Sequence, residues 1–258
     1  PTDVFIKHVQ YNEKSKTIFL GTDSKGIYIL KKNSVESLKT ISPNTGNRVS
    51  YYSQVELANG NVLTNEGHVV GKNRITSSPL PVADLFTVHV FRDGDSILWY
   101  TASYNPLNYY CLHKYNYKTG VRTVFPKART SEASLTRAEN HLYVIDTSGI
   151  RMLIGDSLIL IDNRIKVGNG TAVNDVKELQ PGILTIAGCR GIFRFNIRTK
   201  QLDTLFSTGE YCVRSTWRYK DYLFFGTYGK GLFVYAHGKV SPLPLDKNKY
   251  LLFTHCFM

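Results

Sequence analysis

The side chains able to move protons, bind metals or attack a carbonyl are scattered through this 258-residue sequence rather than grouped. The seven histidines are His8, His68, His89, His113, His141, His237 and His255. None pairs with another at HxH or HExxH spacing, which would turn two imidazoles onto one ion. Asp93-Gly94-Asp95 opens like a calcium loop. The downstream acidic ligands do not follow, and a turn between two strands accounts for it. No Gly-x-Ser-x-Gly nucleophile elbow occurs. Gly226 to Gly231 has the spacing of a phosphate-binding loop, yet Leu232-Phe233 stands where Lys-Ser/Thr would be needed. Asp23, Glu66, Asp175 and Glu210 are the carboxylates a glycosidase would use in pairs, and nothing in the sequence sets two of them across one bond. The expectation is a chain that binds rather than catalyses, with no metal and no cofactor.

Charge narrows the partners. Lys and Arg total 32 against 20 Asp and Glu, a net charge of +12, which favours anionic ligands or surfaces. The basic residues are dispersed, with pairs such as Lys31-Lys32 but no dense cluster, so a nucleic-acid partner is not expected. No apolar run reaches the roughly 18 residues that span a bilayer. The run MLIGDSLILI at 152–161 is short and interrupted by Gly155 and Asp156. Membrane attachment is therefore expected only through segments outside these residues. Pro1 in place of an initiator Met points to a processed chain. Cys111, Cys189, Cys212 and Cys256 form no CxxC pair, which excludes a zinc ribbon or a thioredoxin motif. Buried free thiols are the expected state, and one disulfide is open to an oxidising compartment.

The elements that must position any site come from a repeat. IFLGTDSKGIYIL (18–30), ILTIAGCRGIFRF (183–195) and YLFFGTYGKGLFVY (222–235) share one plan: an apolar run, small residues, Gly, then an aromatic-rich alternating run. Gly26, Gly67, Gly149, Gly191 and Gly231 mark the register, at spacings of 41, 82, 42 and 40 residues. The double interval hides a copy near position 108, with SILWYTA and NYYCLHKYNY as its strands. Two-fold alternation bounded by Gly, Asn and Asp is the strand signal. Four short antiparallel strands, A to D, in about 40–45 residues make one propeller blade.

The predicted fold is therefore all-β, a single β-propeller domain or fragment over 1–258 with about six blades, itself open to being part of a seven-bladed ring. Blades are predicted at 1–41, 49–77, 84–127, 133–162, 172–207 and 211–246. YLLFTHCFM (250–258) is read as the start of a further strand, as in a piece of a longer protein, with a strand that closes the ring as the alternative. The register glycines are expected in tight B–C turns that need positive φ. Tyr28, Phe193, Phe195, Phe233, Tyr235 and Trp217 are expected to pack between blades.

The motifs Gly21-Thr22-Asp23-Ser24-Lys25-Gly26-Ile27-Tyr28 and Gly226-Thr227-Tyr228-Gly229-Lys230-Gly231-Leu232-Phe233 resemble the two-component regulator propeller repeat. Ala187-Gly188-Cys189-Arg190-Gly191-Ile192-Phe193 is a degenerate copy. Phe19 and Phe224 stand where that repeat usually has Trp. Repeats of this family are similar to those in periplasmic sensor regions of bacterial hybrid two-component systems and sensor histidine kinases, such as the polysaccharide-utilisation sensors of Bacteroidetes. The resemblance implies a non-catalytic module on the periplasmic side of an inner membrane that senses an oligosaccharide. It also implies sensor and kinase domains elsewhere in the same polypeptide, with a homodimer as a further partner state. A carbohydrate-active enzyme and a structural interaction propeller are the alternatives.

Loops B–C and D–A open on one end of a propeller, and binding side chains concentrate on such loops. The predicted contact residues are Tyr104, Asn105, Asp23, Arg48, Arg190, Tyr211 and Tyr228. The third blade lacks its turn glycine, and Tyr104-Asn105-Pro106-Leu107 takes its place. Pro106 stiffens this loop and biases Asn105 to an extended backbone, so it is the foremost expected contact element.

Overall fold

Short alternating segments satisfy their backbone donors and acceptors most directly by pairing with their neighbours in sequence. In the computed structural model every regular element among the described residues is a β-strand, and within each sheet each strand pairs antiparallel with the next. The structure describes residues 6–12, 15, 17–22, 26–31, 34–38, 53–64, 67–71, 75–77, 89–104, 109–131, 133–165, 173–207, 209, 212–227 and 230–242. No helix among them is long and apolar enough to cross a membrane. The chain divides into two units, Pro1–Glu132 and Ala133–Met258.

The first unit holds three four-stranded sheets. They are β1 Ile6–Asn12, β2 Thr17–Thr22, β3 Ile27–Lys31 and β4 Ser34–Leu38; β5 Gln54–Glu56, β6 Val62–Thr64, β7 His68–Val70 and β8 Ile75–Ser77; and β9 Val90–Asp93, β10 Ile97–Tyr104, β11 Tyr109–Asn116 and β12 Val121–Thr130. The second unit holds β13 Ser134–Ala138, β14 His141–Asp146, β15 Gly149–Ile154 and β16 Ser157–Asp162; β17 Val173–Gln180, β18 Ile183–Gly188, β19 Gly191–Asn196 and β20 Leu202–Ser207; and β21 Val213–Tyr219, β22 Tyr222–Thr227, β23 Gly231–Ala236 and β24 Lys239–Pro242. This is the four-stranded blade plan of a β-propeller. The expectation of about six blades needs correction. Five sheets are built of strands of four to ten residues, whereas strands β5 to β8 have three residues each.

Within each unit, cores form between consecutive sheets. Tyr143, Ile145 and Ile150 of the fourth sheet bury against Val176, Leu184, Ile186 and Phe195 of the fifth. Ala187 and Ile192 of the fifth bury against Val213, Leu223 and Phe225 of the sixth, with Phe206 and Phe233 at the margin. Phe195 is fully buried, and Phe193 lines the same cluster, as the alternating aromatics predict. Trp217 departs from its expected place. It is 40% exposed and lies on Phe224 of its own sheet, ring centroids 5.4 Å apart. The reason is register: Trp217 pairs with Phe224, while the adjacent Thr216 pairs with Phe225, whose ring turns to Phe206 in the fifth sheet.

All five register glycines have positive φ. At two of them the turn is only half the reason. A Cβ on Gly149 would stand 2.2 Å from the Asp162 carbonyl oxygen, and one on Gly191 would stand 1.9 Å from that of Phe206. Strand D thus passes too close to the start of strand C for any side chain.

Candidate functional site

The heads of the innermost strands are tied together by a repeated polar contact. The Ser134 hydroxyl donates to the Val173 carbonyl at 3.3 Å, and the Asn174 amide donates to the Val213 carbonyl at 2.8 Å. In the first unit Ser53 Oγ accepts from the Val90 amide at 3.1 Å and donates to its carbonyl at 3.4 Å. In each case a short polar side chain at the start of one strand A fastens the first residue of the next strand A. A second rung lies deeper: Asp175 Oδ2 accepts from the Thr216 amide (2.6 Å) and hydroxyl (2.8 Å), and Lys177 Nζ donates to the Thr216 carbonyl (2.5 Å).

Three strand heads also carry a β-bulge at their second residue. The register steps between Ile6 and His8, between Val173 and Asp175, and between Val213 and Ser215. The extra residues are Lys7, Asn174 and Arg214. Bulges leave a residue out of the ladder and re-aim its side chain. In the second unit, Arg214 Nη1 donates to Asn174 Oδ1 at 2.7 Å. Asn174 is thereby held by both Arg214 and Val213, and its amide also reaches Cys189 Sγ at 3.9 Å.

Cys189 and Cys212 form a disulfide. This corrects the expectation of free thiols for these two, while Cys111 is a buried free cysteine as expected. Cys189 lies in the turn between β18 and β19, and Cys212 directly precedes β21. The propeller plan places B–C turns and strand-A heads at the same end of a sheet. That shared end is what brings two cysteines 23 residues apart within bonding reach. Next to the disulfide, Arg190 is exposed. The second unit therefore gathers Asn174, Arg190, Arg214 and the Cys189–Cys212 bridge at one loop end.

Of the predicted contact residues, Arg190 sits where the sequence places it, exposed on a B–C turn. Tyr104 ends β10 and pairs through its backbone with Tyr109. Asn105, Asp23, Arg48, Tyr211 and Tyr228 lie outside the described residues. At the base of the third-sheet loop, the Arg129 guanidinium lies 4.3 Å from the Tyr109 ring centroid, and the Tyr109 hydroxyl donates to the Pro126 carbonyl at 3.4 Å. The sequence places Asn174 at a D–A loop head, but it does not show the clips of Ser53 and Ser134 or the bulge residue Arg214. In the second unit their signal is Ser134 beside Leu135, Asn174 beside Val173 and Arg214 beside Val213.

One buried pair in the first unit has the composition of a catalytic dyad and the electrostatics of a structural one. Cys111 Sγ lies 3.4 Å from His113 Nε2, and Arg122 Nε and Nη2 lie 3.3 and 3.0 Å from Nδ1. Arg122 can only donate, so Nδ1 accepts and the ring proton sits on Nε2, toward sulfur. Burial, together with the nearby Arg122 charge, lowers His113 to about 4, and burial raises the Cys111 thiol to about 11. A reactive thiolate needs the opposite order. Tyr100 stacks on the imidazole with centroids 5.1 Å apart.

A pH-dependence follows from the depressed His113 value. In the unfolded chain this imidazole takes a proton near pH 6.5, and in the folded chain only near 4. Between those values the unfolded state binds more protons, so stability falls as pH falls, by about 2 to 3 kcal/mol across the window. His68, also lowered by burial, adds a slope of the same sign. Urea unfolding of wild type and His113→Gln between pH 7 and 4 checks this. The variant is expected to lose most of the slope, and an unchanged slope refutes the assignment.

No protein-family model matches the sequence, and no curated protein matches it either. Solved structures do resemble it. The extracellular domain of a hybrid two component system from B. thetaiotaomicron matches with a TM-score of 0.69 at 17% identity, over 97% of this chain and 34% of that one. The extracellular domain of a second such system from the same organism matches at 0.66 and 16%, over 97% and 36%. A gluconolactonase from Xanthomonas campestris matches at 0.60 and 12%, over 86% and 82%. The chain spans about a third of the two extracellular domains it resembles. At these identities the likeness establishes the all-β propeller architecture.

Proposed function

We propose that this chain is a non-catalytic, extracytoplasmic ligand-sensing module of a two-component regulatory system, and that it binds an oligosaccharide at the loop end of its sheets. The observation that carries this reading is the loop end of the second unit. There Arg214 is hydrogen-bonded to Asn174 beside the Cys189–Cys212 bridge, and the exposed Arg190 follows Cys189 in the same turn. Guanidinium donors at this end suit the hydroxyl and carboxylate groups of a sugar chain, and Asn174 holds one of them, Arg214, in place. A disulfide on that end fits an oxidising compartment such as the periplasm. The solved extracellular domains of hybrid two component systems add support at the level of fold. In this reading the signalling domains and the membrane span belong to other parts of the same polypeptide.

A second reading is a small-molecule enzyme on the same scaffold. It is favoured by the gluconolactonase likeness, which extends over most of both chains. Among the described residues no group of three or more His, Cys, Asp or Glu could hold a metal ion. One experiment separates the readings. The chain is incubated with neutral and uronate-containing oligosaccharides and with a sugar lactone; binding is read by calorimetry and turnover by product analysis. Oligosaccharide binding without turnover, weakened at least about tenfold by Arg214→Gln, is expected, a loss of the size a charge-assisted contact carries. Lactone hydrolysis would favour the enzyme. Neither binding nor turnover would remove the sensing assignment from this chain.

A further inference from the structure

Strand β16 is the last strand of its sheet, in the order β13-β14-β15-β16. Its sequence is Ser157-Leu158-Ile159-Leu160-Ile161-Asp162. Outer strands of soluble sheets are usually blunted by charge, because their unpaired backbone is a template for another strand. The other two outer strands of this unit follow the rule, with Asp203 on β20 and Lys239 on β24. Strand β16 carries its one charge at its last residue, Asp162, and none between Ser157 and Ile161. Ile159 is 46% exposed and Leu160 51% exposed. Consecutive residues point to opposite faces of a strand, so both faces are open here. Ile154, 52% exposed, ends the neighbouring strand β15 and pairs with Ser157. Three large aliphatic side chains thus share one outer rim.

We propose that this rim is an association edge for a second copy of the chain, with the two β16 strands antiparallel about a two-fold axis at Leu160. Charge selects the occupant and the register. A two-fold axis normal to a sheet keeps every side chain on its own face, so the central residue must meet its own counterpart. Centring on Ile159 would set Asp156 against Asp162 of the second copy, and like charges directly opposite are destabilising. Centring on Leu160 instead sets Asp156 against Arg164 of the second copy and leaves Ile159 facing Ile161. Arg164 is half-exposed; it donates to Asp162 Oδ2 at 2.7 Å and to the Lys200 carbonyl of the fifth sheet. The segment thereby matches itself, with Asp156 at one end, the Asp162–Arg164 pair at the other, and Leu158 to Ile161 between. The β15–β16 register steps at Ile161, and this bulge keeps the ladder short. The contact is consequently a small, reversible one.

The test is sedimentation of the 258-residue chain from about 1 to 500 µM, a range that brackets transient association. Wild type is expected to shift from monomer toward dimer with increasing concentration. Leu160→Lys is expected to remain monomeric at the highest concentration, with an unchanged circular dichroism spectrum, since Leu160 lies half outside the core. Asp156→Lys distinguishes the register: it weakens association at least about threefold if Arg164 is opposite, and strengthens it if Asp162 is. A wild type that stays monomeric throughout overturns the proposal and leaves the edge to a different partner. So does a Leu160→Lys protein that dimerises like wild type, or an Asp156→Lys protein that associates equally or more tightly.

Discussion

Gly191→Ala is expected to cost the second unit about 4 kcal/mol or more, the range reserved for substitutions that force backbone to move. A methyl group at this position would stand 1.9 Å from the Phe206 carbonyl oxygen and 3.0 Å from its carbonyl carbon and from Ser207 Cα. These are backbone atoms of β20, which is paired along β19 and cannot yield as a side-chain tip would. The φ of 135° adds a conformation that alanine rarely adopts. Gly155→Ala is the control: its φ is also positive at 61°, but nothing lies within 4 Å of the place its methyl group would take. That change should cost only about 1 kcal/mol. Urea unfolding followed through Trp217 reports on the second unit, because the other tryptophan, Trp99, belongs to the first. A Gly191→Ala protein within 1 kcal/mol of wild type, on the scale of ordinary surface changes, would show that strand D can be displaced.

Breaking the Cys189–Cys212 bridge is expected to cost about 3 kcal/mol, from the loop closure of a 23-residue separation. The double Cys189→Ser, Cys212→Ser protein and the reduced wild type should show the same loss. The bridge joins the turn of the fifth sheet to the head of the sixth, so the loss should concentrate there. Amide hydrogen exchange should rise first in Val213 to Ser215 and only later in β14 and β15. If the oxidised and reduced proteins unfold at the same urea concentration, the bridge carries no folding stability.

The strand pattern is readable because its causes are local. Alternation and the glycine period follow from pleat geometry and from one backbone conformation, and both leave their mark at fixed positions such as Gly149, Gly191 and Gly231. What is not readable depends on distances between strands far apart in sequence. The repeat assigns Gly191 to its turn, yet half of its necessity comes from Phe206, fifteen residues on. The size of Trp217 argues for a place between sheets, where large aromatics usually lie. The bulge at Arg214 and the pairing with Phe224 put it on the other face. Cys189 and Cys212 carry a usable signal in their position, one in a B–C turn and one before a strand A. Spacing arguments that look for short cysteine motifs pass over it. Among the site residues, Arg190 is legible because the repeat numbers its turn. Asn174 is legible as a residue at a D–A strand head, whereas Arg214 is not, because a bulge is a mismatch between two strands and leaves no trace in one strand alone.

The polar clips at the strand heads bear on how such a chain can change its length. Ser134 gives a hydrogen bond forward to Val173, and Asn174 gives one forward to Val213. The fifth sheet therefore carries one acceptor, the Val173 carbonyl, and one donor, Asn174, at the head of the same strand. Insertion or loss of a repeat of this kind adds or removes a matched pair, so the neighbours on either side can rejoin with their polar groups still satisfied. A single substitution at Ser134 or Asn174 lacks that protection, since it removes the donor of the Val173 or Val213 carbonyl.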